Sequence, residues 1–212
     1  MEITAKFLSE YVGGITGVCH AGAHRGLEVN EYVDAGIETM VWIEANQQVF
    51  NNLIKNTAKY EKNQYWYCQC LWDQDDVIKT FNISNNEESS SVLEFGDGHK
   101  LNAPQIKFID KTIVLTKRMD TLVRTQTDFK WDQINMVVTD CQGVDFEVLC
   151  GFGDLLKSPN IKVIKSEVEL NQQYINGSTH EKINNYLAPL GFSFSFYFHA
   201  HAGWGNHYWT RK

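Results

Sequence analysis

One stretch restricts the folds open to this chain more than any other. An apolar run, Ile15 to Ala21, leads into Gly22-Ala23-His24-Arg25-Gly26. A segment with apolar residues at helical spacing follows, Leu27 to Ala35, and stops at Gly36, a residue suited to a helix C-terminus. A second apolar run, Thr39 to Ile43, then ends in Glu44. Strand, tight loop, helix and strand in this order make a crossover unit, which joins parallel strands.

The alternation continues along the chain. Residues 4–12 read as a helix, and Asn46 to Ala58 carries Val49, Phe50, Leu53 and Ile54 on one helical face. Residues 64–70, Val77 to Ile83 and Thr112 to Lys117 read as strands. Ile134 to Thr139 is continuously apolar, as a strand covered on both faces should be. Phe146 to Leu156 reads as a helix, Ile161 to Val168 as a strand, and His180 to Leu190 as a helix ending near Gly191. Phe192 to Phe198 and His207 to Arg211 suggest a closing antiparallel pair. The expected fold class is α/β, a mostly parallel sheet with helices on both faces and a C-terminal antiparallel hairpin.

The 212 residues suit one domain, expected to span 1–212, with three prolines and no Pro/Gly/Ser linker dividing the chain. No window reaches the run of about 18 apolar residues that a membrane helix needs. The start, Met1-Glu2-Ile3-Thr4-Ala5-Lys6, lacks a signal-peptide pattern, so a cytoplasmic protein with no membrane partner is expected. The five cysteines are an odd number and sit mostly in or beside strands. Cys68 and Cys70 form a C-x-C pair with no second pair at metal spacing, so no metal is expected there. A net charge of −7 argues against a nucleic-acid partner.

The glycine loop is the first candidate site. Gly22 lets the backbone turn sharply, and the helix start beyond it offers unpaired N–H groups. Glu44, about 20 residues after the loop at a strand tip, is placed to accept the hydroxyls of a ribose. His24 stands where the dinucleotide fingerprint G-x-G-x-x-G has its middle glycine. That disfavours a pyrophosphate cofactor such as NAD and favours S-adenosylmethionine (SAM), which has no phosphate. The second site is the end of strand Ile134–Thr139, where Asp140-Cys141-Gln142-Gly143 follows. Ligands of open α/β sheets bind outside such strand ends. Asp140 could take a proton from a hydroxyl, or hold a substrate. Asp145 and Glu147 follow, and Asp145 also suits a helix start. Glu167 and Glu169 alternate onto one side of their strand and could line the site.

These residues resemble the FkbM-type methyltransferases over almost the whole chain. The resemblance rests on HAGAHRGLE followed by EY, VWIEANQQVFNNL, SSSVL followed by GDGH, DCQGVDFEVLCGFGDLL, SEVE, YLAPLGF and WGNHYW, all in the family's order. It implies a Rossmann-like SAM-methyltransferase fold and O-methylation of a sugar, glycan or similar polar small molecule. His20, Gly22, Ala23, His24, Gly26, Glu44 and Ala45 would then face the cofactor. His20 stands where many members carry Asp, and Gln47 where Pro is common. Asp140 and His99 are the candidate bases, with Ser90, Ser91, Gln142, Asp145 and Glu167 toward the substrate.

His199, His201 and His207 could cluster as metal ligands, although a half-buried surface group is favoured. Trp72 or Trp204 could stack on a sugar or adenine ring. Three rival readings are a nicotinamide-dependent oxidoreductase, a SAM-fold protein acting only as an interaction module, and a nucleic-acid methyltransferase, the last disfavoured by the acidic charge and by the absence of a Pro-Pro-Tyr/Phe motif after Asp140.

Overall fold

The computed structural model describes residues 3–126, 128–199 and 203–211. The alternation folds as its periodicity requires. Helix α1 (Ala5–Val12) is capped by the Thr4 hydroxyl, which accepts from Phe7 N. Strand β1 (Gly17–Ala21) and helix α2 (Val29–Asp34) precede β2 (Thr39–Glu44) and α3 (Gln47–Thr57). The Asn46 side chain starts α3 by accepting from Gln48 N and Val49 N. Next come β3 (Asn63–Cys68), β4 (Cys70–Leu71), β5 (Ile78–Ser84), α4 (Asp97–Asn102), β6 (Phe108–Lys117) and α5 (Met119–Gln126). The chain closes with β7 (Met136–Thr139), α6 (Asp145–Phe152), β8 (Val163–Glu169), α7 (His180–Leu187), β9 (Ser193–Phe198) and β10 (Trp204–Thr210).

The main sheet has seven strands in the order β3-β2-β1-β7-β8-β10-β9. β1 is parallel to β2 and β7, β2 to β3, and β7 to β8. β10 runs antiparallel between β8 and β9, so the expected closing hairpin joins the sheet through its second strand. From β1 the chain first builds outward through β2 and β3, then resumes on the other side with β7. The boundary between β1 and β7 is therefore the switch point, where a ligand crevice opens at the strand ends.

Both faces of the central strands are covered. On one face Val18, Met40, Trp42 and Val138 pack with Leu8 of α1, Tyr32 of α2 and Leu53 of α3. On the other, Cys19, Val41, Ile43 and Val137 pack with Leu122 of α5, Leu149 of α6 and Ile183 of α7. The continuous apolar run before Thr139 reflects this double cover, with every residue of β7 buried.

Several expected boundaries shift. The helix expected from Leu27 begins at Val29, after turns through the glycine loop. The strand expected over residues 64–70 splits into β3 and the two-residue β4. β5 and β6 were expected as strands, but they leave the main sheet and pair antiparallel in a separate three-stranded sheet, order β4-β6-β5. The helix expected from Phe146 to Leu156 ends as an α-helix at Phe152, because Gly153 turns to φ 52 and a 3-10 segment follows. The helix from His180 likewise passes at Ala188 into a 3-10 turn containing Pro189, closed by Gly191 at φ 89. Helices α4 and α5 were not expected: α4 is six residues long without apolar periodicity, whereas α5 does place Met119, Leu122 and Val123 at helical spacing.

Among the described residues, no helix is long and apolar enough to cross a membrane. Phe152 is fully buried where α6 meets the sheet. Phe152→Ala should lower unfolding free energy by about 3–5 kcal/mol, measured by urea denaturation.

Candidate functional site

A cavity of about 520 Å3 lies over the carboxyl ends of β1, β2, β7 and β8. That volume is within the range of sites that enclose a small ligand. Its floor is the glycine loop, Glu44 and Ala45, and Asp140 to Gln142. Its roof is the segment that carries the small sheet and α4, contributing Phe81, Glu87 to Ser90, Val92, His99 and Asn102.

The glycine loop is shaped by close backbone approach. Gly22 has φ +74, and a Cβ there would run into the backbone carbonyl of Asp140. Only glycine therefore lets β1 and β7 leave the sheet side by side. Gly22 N and Ala23 N both donate to the Ile43 carbonyl, at 2.9 and 3.0 Å. His24, at φ 46, donates its backbone N–H to Glu44 Oε2 at 2.9 Å, and Asn46 N donates to Glu44 Oε1 at 2.8 Å. Glu44 thus knits the loop to the end of β2 while still lining the cavity. Burial pushes its carboxyl upward, against the pull of these backbone donors. Gly26 does not line the cavity. Its missing Cβ leaves space for Leu53 and Thr57 of α3.

On the acceptor side a single amide organises three groups. Gln142, at φ 52, donates through Nε2 to Asp140 Oδ1 at 2.7 Å and to Glu167 Oε2 at 3.1 Å. Its Oε1 accepts from Tyr174 OH at 2.9 Å, and its backbone carbonyl accepts from Ser91 Oγ at 2.7 Å. Burial raises the carboxyls of Asp140 and Glu167, and their mutual repulsion raises Glu167 further. The nearby Lys165 charge works the other way on Asp140.

His99 lies in the roof. Its ring stacks on Phe95 with centroids 3.6 Å apart, and Phe95 stacks on Phe108 at 3.9 Å. Burial lowers its pKa, partly offset by a hydrogen bond to the Ile106 backbone. Its Nε2 is buried with no hydrogen-bond partner. Helix α4 is pinned by Gly96 N to Gln173 O and Gly98 N to Gln172 O, both 2.8 Å. A Cβ at Gly96 or Gly98 would collide with that same strip of chain.

The structure therefore brings Gly22, Ala23, His24, Glu44, Ala45, Ser90, His99, Asp140, Gln142 and Glu167 to one cavity. It also brings Glu169 and Trp204 there. Four expected contacts need correction, Gly26 above and three more. His20 is buried beneath α2, bonded through Nδ1 to Tyr32 OH at 3.0 Å, with its pKa lowered to about 3 by burial. Asp145 is buried too, where its Oδ1 accepts from Cys141 N at 3.0 Å; burial and Asp140 push it up to about 7. Ser91 is spent on the Gln142 carbonyl. All three support the walls without lining the cavity. Trp72 lies under the Lys79 amine, 3.9 Å from its ring centre, away from the cavity. Gln69, Phe81, Asn102, Gln173 and Tyr174 line the cavity and were missed. Phe81 lies in β5 and Asn102 in the short helix α4, while Gln69, Gln173 and Tyr174 sit between elements, where no periodicity marks them.

His180 Nδ1 and His207 Nδ1 are 2.9 Å apart, and His207 Nε2 is 2.8 Å from His199 Nε2. Both nitrogens of the central ring face other imidazoles, which makes a chain of rings. His201 lies outside the described residues, and among those described no group of three side chains is arranged to hold a metal.

The cavity suits SAM in two respects. Glu44 lines it with a hydrogen-bonding carboxylate at the tip of β2, and Gly22 leaves a backbone surface that a side chain would fill. A family model, described as the methyltransferase FkbM domain, matches residues 20–208. No curated protein matches the sequence. Among solved structures, the magnesium protoporphyrin IX methyltransferase of Synechocystis PCC 6803 with bound SAM is 10% identical at TM-score 0.50, covering 98% of this chain and 79% of that one. The 1,6-didemethyltoxoflavin N1-methyltransferase of Burkholderia thailandensis is 9% identical at 0.50, covering 98% and 76%. An NADB-Rossmann superfamily protein of Streptococcus agalactiae is 8% identical at 0.52, covering 100% and 69%. These similarities establish the fold.

Two outcomes are expected. Glu44→Ala should weaken SAM binding by at least tenfold in titration calorimetry, about 1.4 kcal/mol; unchanged affinity removes Glu44 from the cofactor site. His207 has its pKa lowered to about 4 by burial and the flanking imidazoles. Its stabilising contribution is complete above its ordinary value of 6.5 and is lost as pH falls through about 4. Thermal unfolding of His207→Phe should accordingly depend less on pH between 6.5 and 4 than unfolding of the wild type.

Proposed function

The chain belongs to the FkbM methyltransferase family, and from that premise we propose that it methylates a hydroxyl of a sugar, glycan or similar polar small molecule. As a family member with this fold it is a SAM-dependent methyltransferase, which sets aside the nicotinamide reading. When bound, SAM supplies an electrophilic methyl carbon.

The observation that carries the acceptor reading is the acidic lining of the cavity, whose buried members Glu44 and Glu167 are held toward their neutral forms until a cation or a donor reaches them. Glu28, Glu44, Glu87, Glu88, Asp140, Glu167 and Glu169 line it. Arg25 is the single Lys or Arg among the lining residues, and its guanidinium is bonded to Glu87 at 2.6 Å. Such a wall repels a phosphate-rich acceptor. It also stabilises an ammonium over a free amine, because opposite charge favours the protonated form. A protonated amine has no lone pair with which to attack. A neutral hydroxyl keeps its lone pairs in this field and finds hydrogen-bond partners on every side.

Two groups can take the hydroxyl proton. Asp140 sits at the strand end beside the glycine loop, oriented by Gln142. His99 presents a buried nitrogen with no partner, and its lowered pKa keeps it neutral near pH 7. Glu167 shares the Gln142 amide with Asp140 and holds that amide in place. No nucleic-acid or membrane partner is needed for this chemistry.

The test is methyl transfer from SAM to hydroxylic acceptors, followed by mass spectrometry. If His99 is the base, kcat/KM should hold through the ordinary imidazole range and fall only at lower pH, because burial lowers the pKa at which protonation removes the base, and His99→Gln should cost about 10^2-fold or more. Asp140→Asn with an intact fold and full activity would leave His99 as the base. Transfer to amines in preference to hydroxyls would overturn the reading.

A further inference from the structure

We propose that the face of α4 reads the acceptor as a vicinal diol, with His99 Nε2 and the Asn102 side-chain amide engaging adjacent hydroxyls. The inference rests on the hydroxyl-acceptor reading above and assigns a binding role to Asn102. Asn102 Nδ2 and His99 Nε2 are both buried, and neither has a hydrogen-bond partner. Both residues line the main cavity. Buried polar atoms in folded proteins are almost always paired. Two orphans on one short helix, at the wall of a ligand cavity, point to a partner supplied by the ligand.

Their chemistry is complementary. Residues three apart on a helix lie side by side. Since His99 Nε2 has no partner, the hydrogen bond to the Ile106 backbone uses Nδ1. A neutral imidazole that donates from one nitrogen accepts at the other, so Nε2 offers a lone pair. Asn102 Nδ2 can only donate. The helix thus shows the cavity one acceptor and one donor. A vicinal diol satisfies both, because one hydroxyl gives its proton to Nε2 while its neighbour accepts from the amide. A carbonyl or carboxylate brings no proton for Nε2. A lone hydroxyl could meet both atoms at one oxygen, but a hydrogen bond donated to the reacting oxygen ties up a lone pair and weakens its attack, so a reacting hydroxyl on Nε2 leaves the amide to its neighbour. The arrangement is also held rigidly. The His99 ring is stacked within 5° of parallel on Phe95, and the Gly96 and Gly98 hydrogen bonds fix the helix start. Binding therefore loses little side-chain freedom.

Asn102→Leu separates the proposal from a structural role. Without acceptor, at pH 8, a structural Asn102 would make the leucine variant melt lower. A side chain kept for ligand should make it melt higher by about 2–4 °C, because an unpaired buried amide is removed. The second arm measures methyl transfer to methyl glycopyranosides and to their monodeoxy counterparts that lack the hydroxyl adjacent to the methylated one. The wild type should prefer the diol by about tenfold or more, and Asn102→Leu should erase that preference by losing far more rate on the diol than on the deoxy compound. A lower melting temperature for Asn102→Leu overturns the proposal, as does an equal loss on both acceptors. If the wild type methylates diol and deoxy acceptors alike, the diol assignment fails and hydroxyl methylation stands. If it methylates no hydroxylic probe, the underlying reading fails and the diol assignment falls with it.

Discussion

The site depends on the side-chain amide of Gln142. Two carboxylates, the half-buried Asp140 and the buried Glu167, face the same cavity; desolvation raises both, and the Asp140 charge raises Glu167 further. Two like charges held this close in a poorly solvated space destabilise each other. The amide nitrogen of Gln142 lies between them and donates to each. Its oxygen takes the Tyr174 hydroxyl, and its main chain takes Ser91. One residue therefore joins the ends of β7 and β8, the loop after β8, and the roof.

This junction is built from strained backbone. Gln142 stands at φ 52 and Gly143 at φ 94. Non-glycine residues rarely adopt positive φ, and such strain persists where surrounding contacts over-determine it. Here those contacts are visible. Ser178 N donates to the Gly143 carbonyl at 2.8 Å, the Ser178 hydroxyl caps Phe146 N at 2.8 Å, and a Cβ on Gly143 would meet the Tyr174 ring. The roof is attached at separated points: Ser91 to Gln142, Arg25 to Glu87, and the Gly96–Gly98 strip to Gln172 and Gln173. The Arg25–Glu87 pair is partly exposed and contributes at most about 1 kcal/mol. Position in the roof thus comes mainly from the neutral hydrogen bonds and the aromatic stack on His99.

Much of the frame was legible in the chain. The runs ending at Ala21, Ile43, Thr139 and Val168 bring Gly22, Glu44, Asp140 and Glu169 to one edge, because parallel strands all finish at the same end of the sheet. Gly22 and Glu44 were readable as neighbours for that reason. The roof was not legible in the same way. β5 and β6 carry strand-forming residues, but propensity does not say which sheet a strand joins. Helix α4 is six residues long and begins in Gly-Asp-Gly, so neither length nor pattern announces it. The polar side chains it presents, His99 and Asn102, acquire meaning only once it is folded over the cavity. His20 shows the converse. Its place beside the glycine loop suggested a cofactor contact, yet strand alternation turns it to the far side, against Tyr32 and Trp42.

Sequence alone determined the alternation of the main-sheet strands with their helices, the sharp turn at Gly22 and the acidic character of the strand ends, since each follows from local periodicity or from the conformational needs of a few adjacent residues. Tertiary structure decided which carboxylates share an amide, which serine holds a carbonyl and which imidazole nitrogen is left open. Those outcomes depend on contacts between segments far apart in the chain, such as Ser91 with Gln142 and Tyr174 with Ser89. No local pattern encodes them, because the geometry of each arises only when the sheet, the loop after β8 and the roof close on one another.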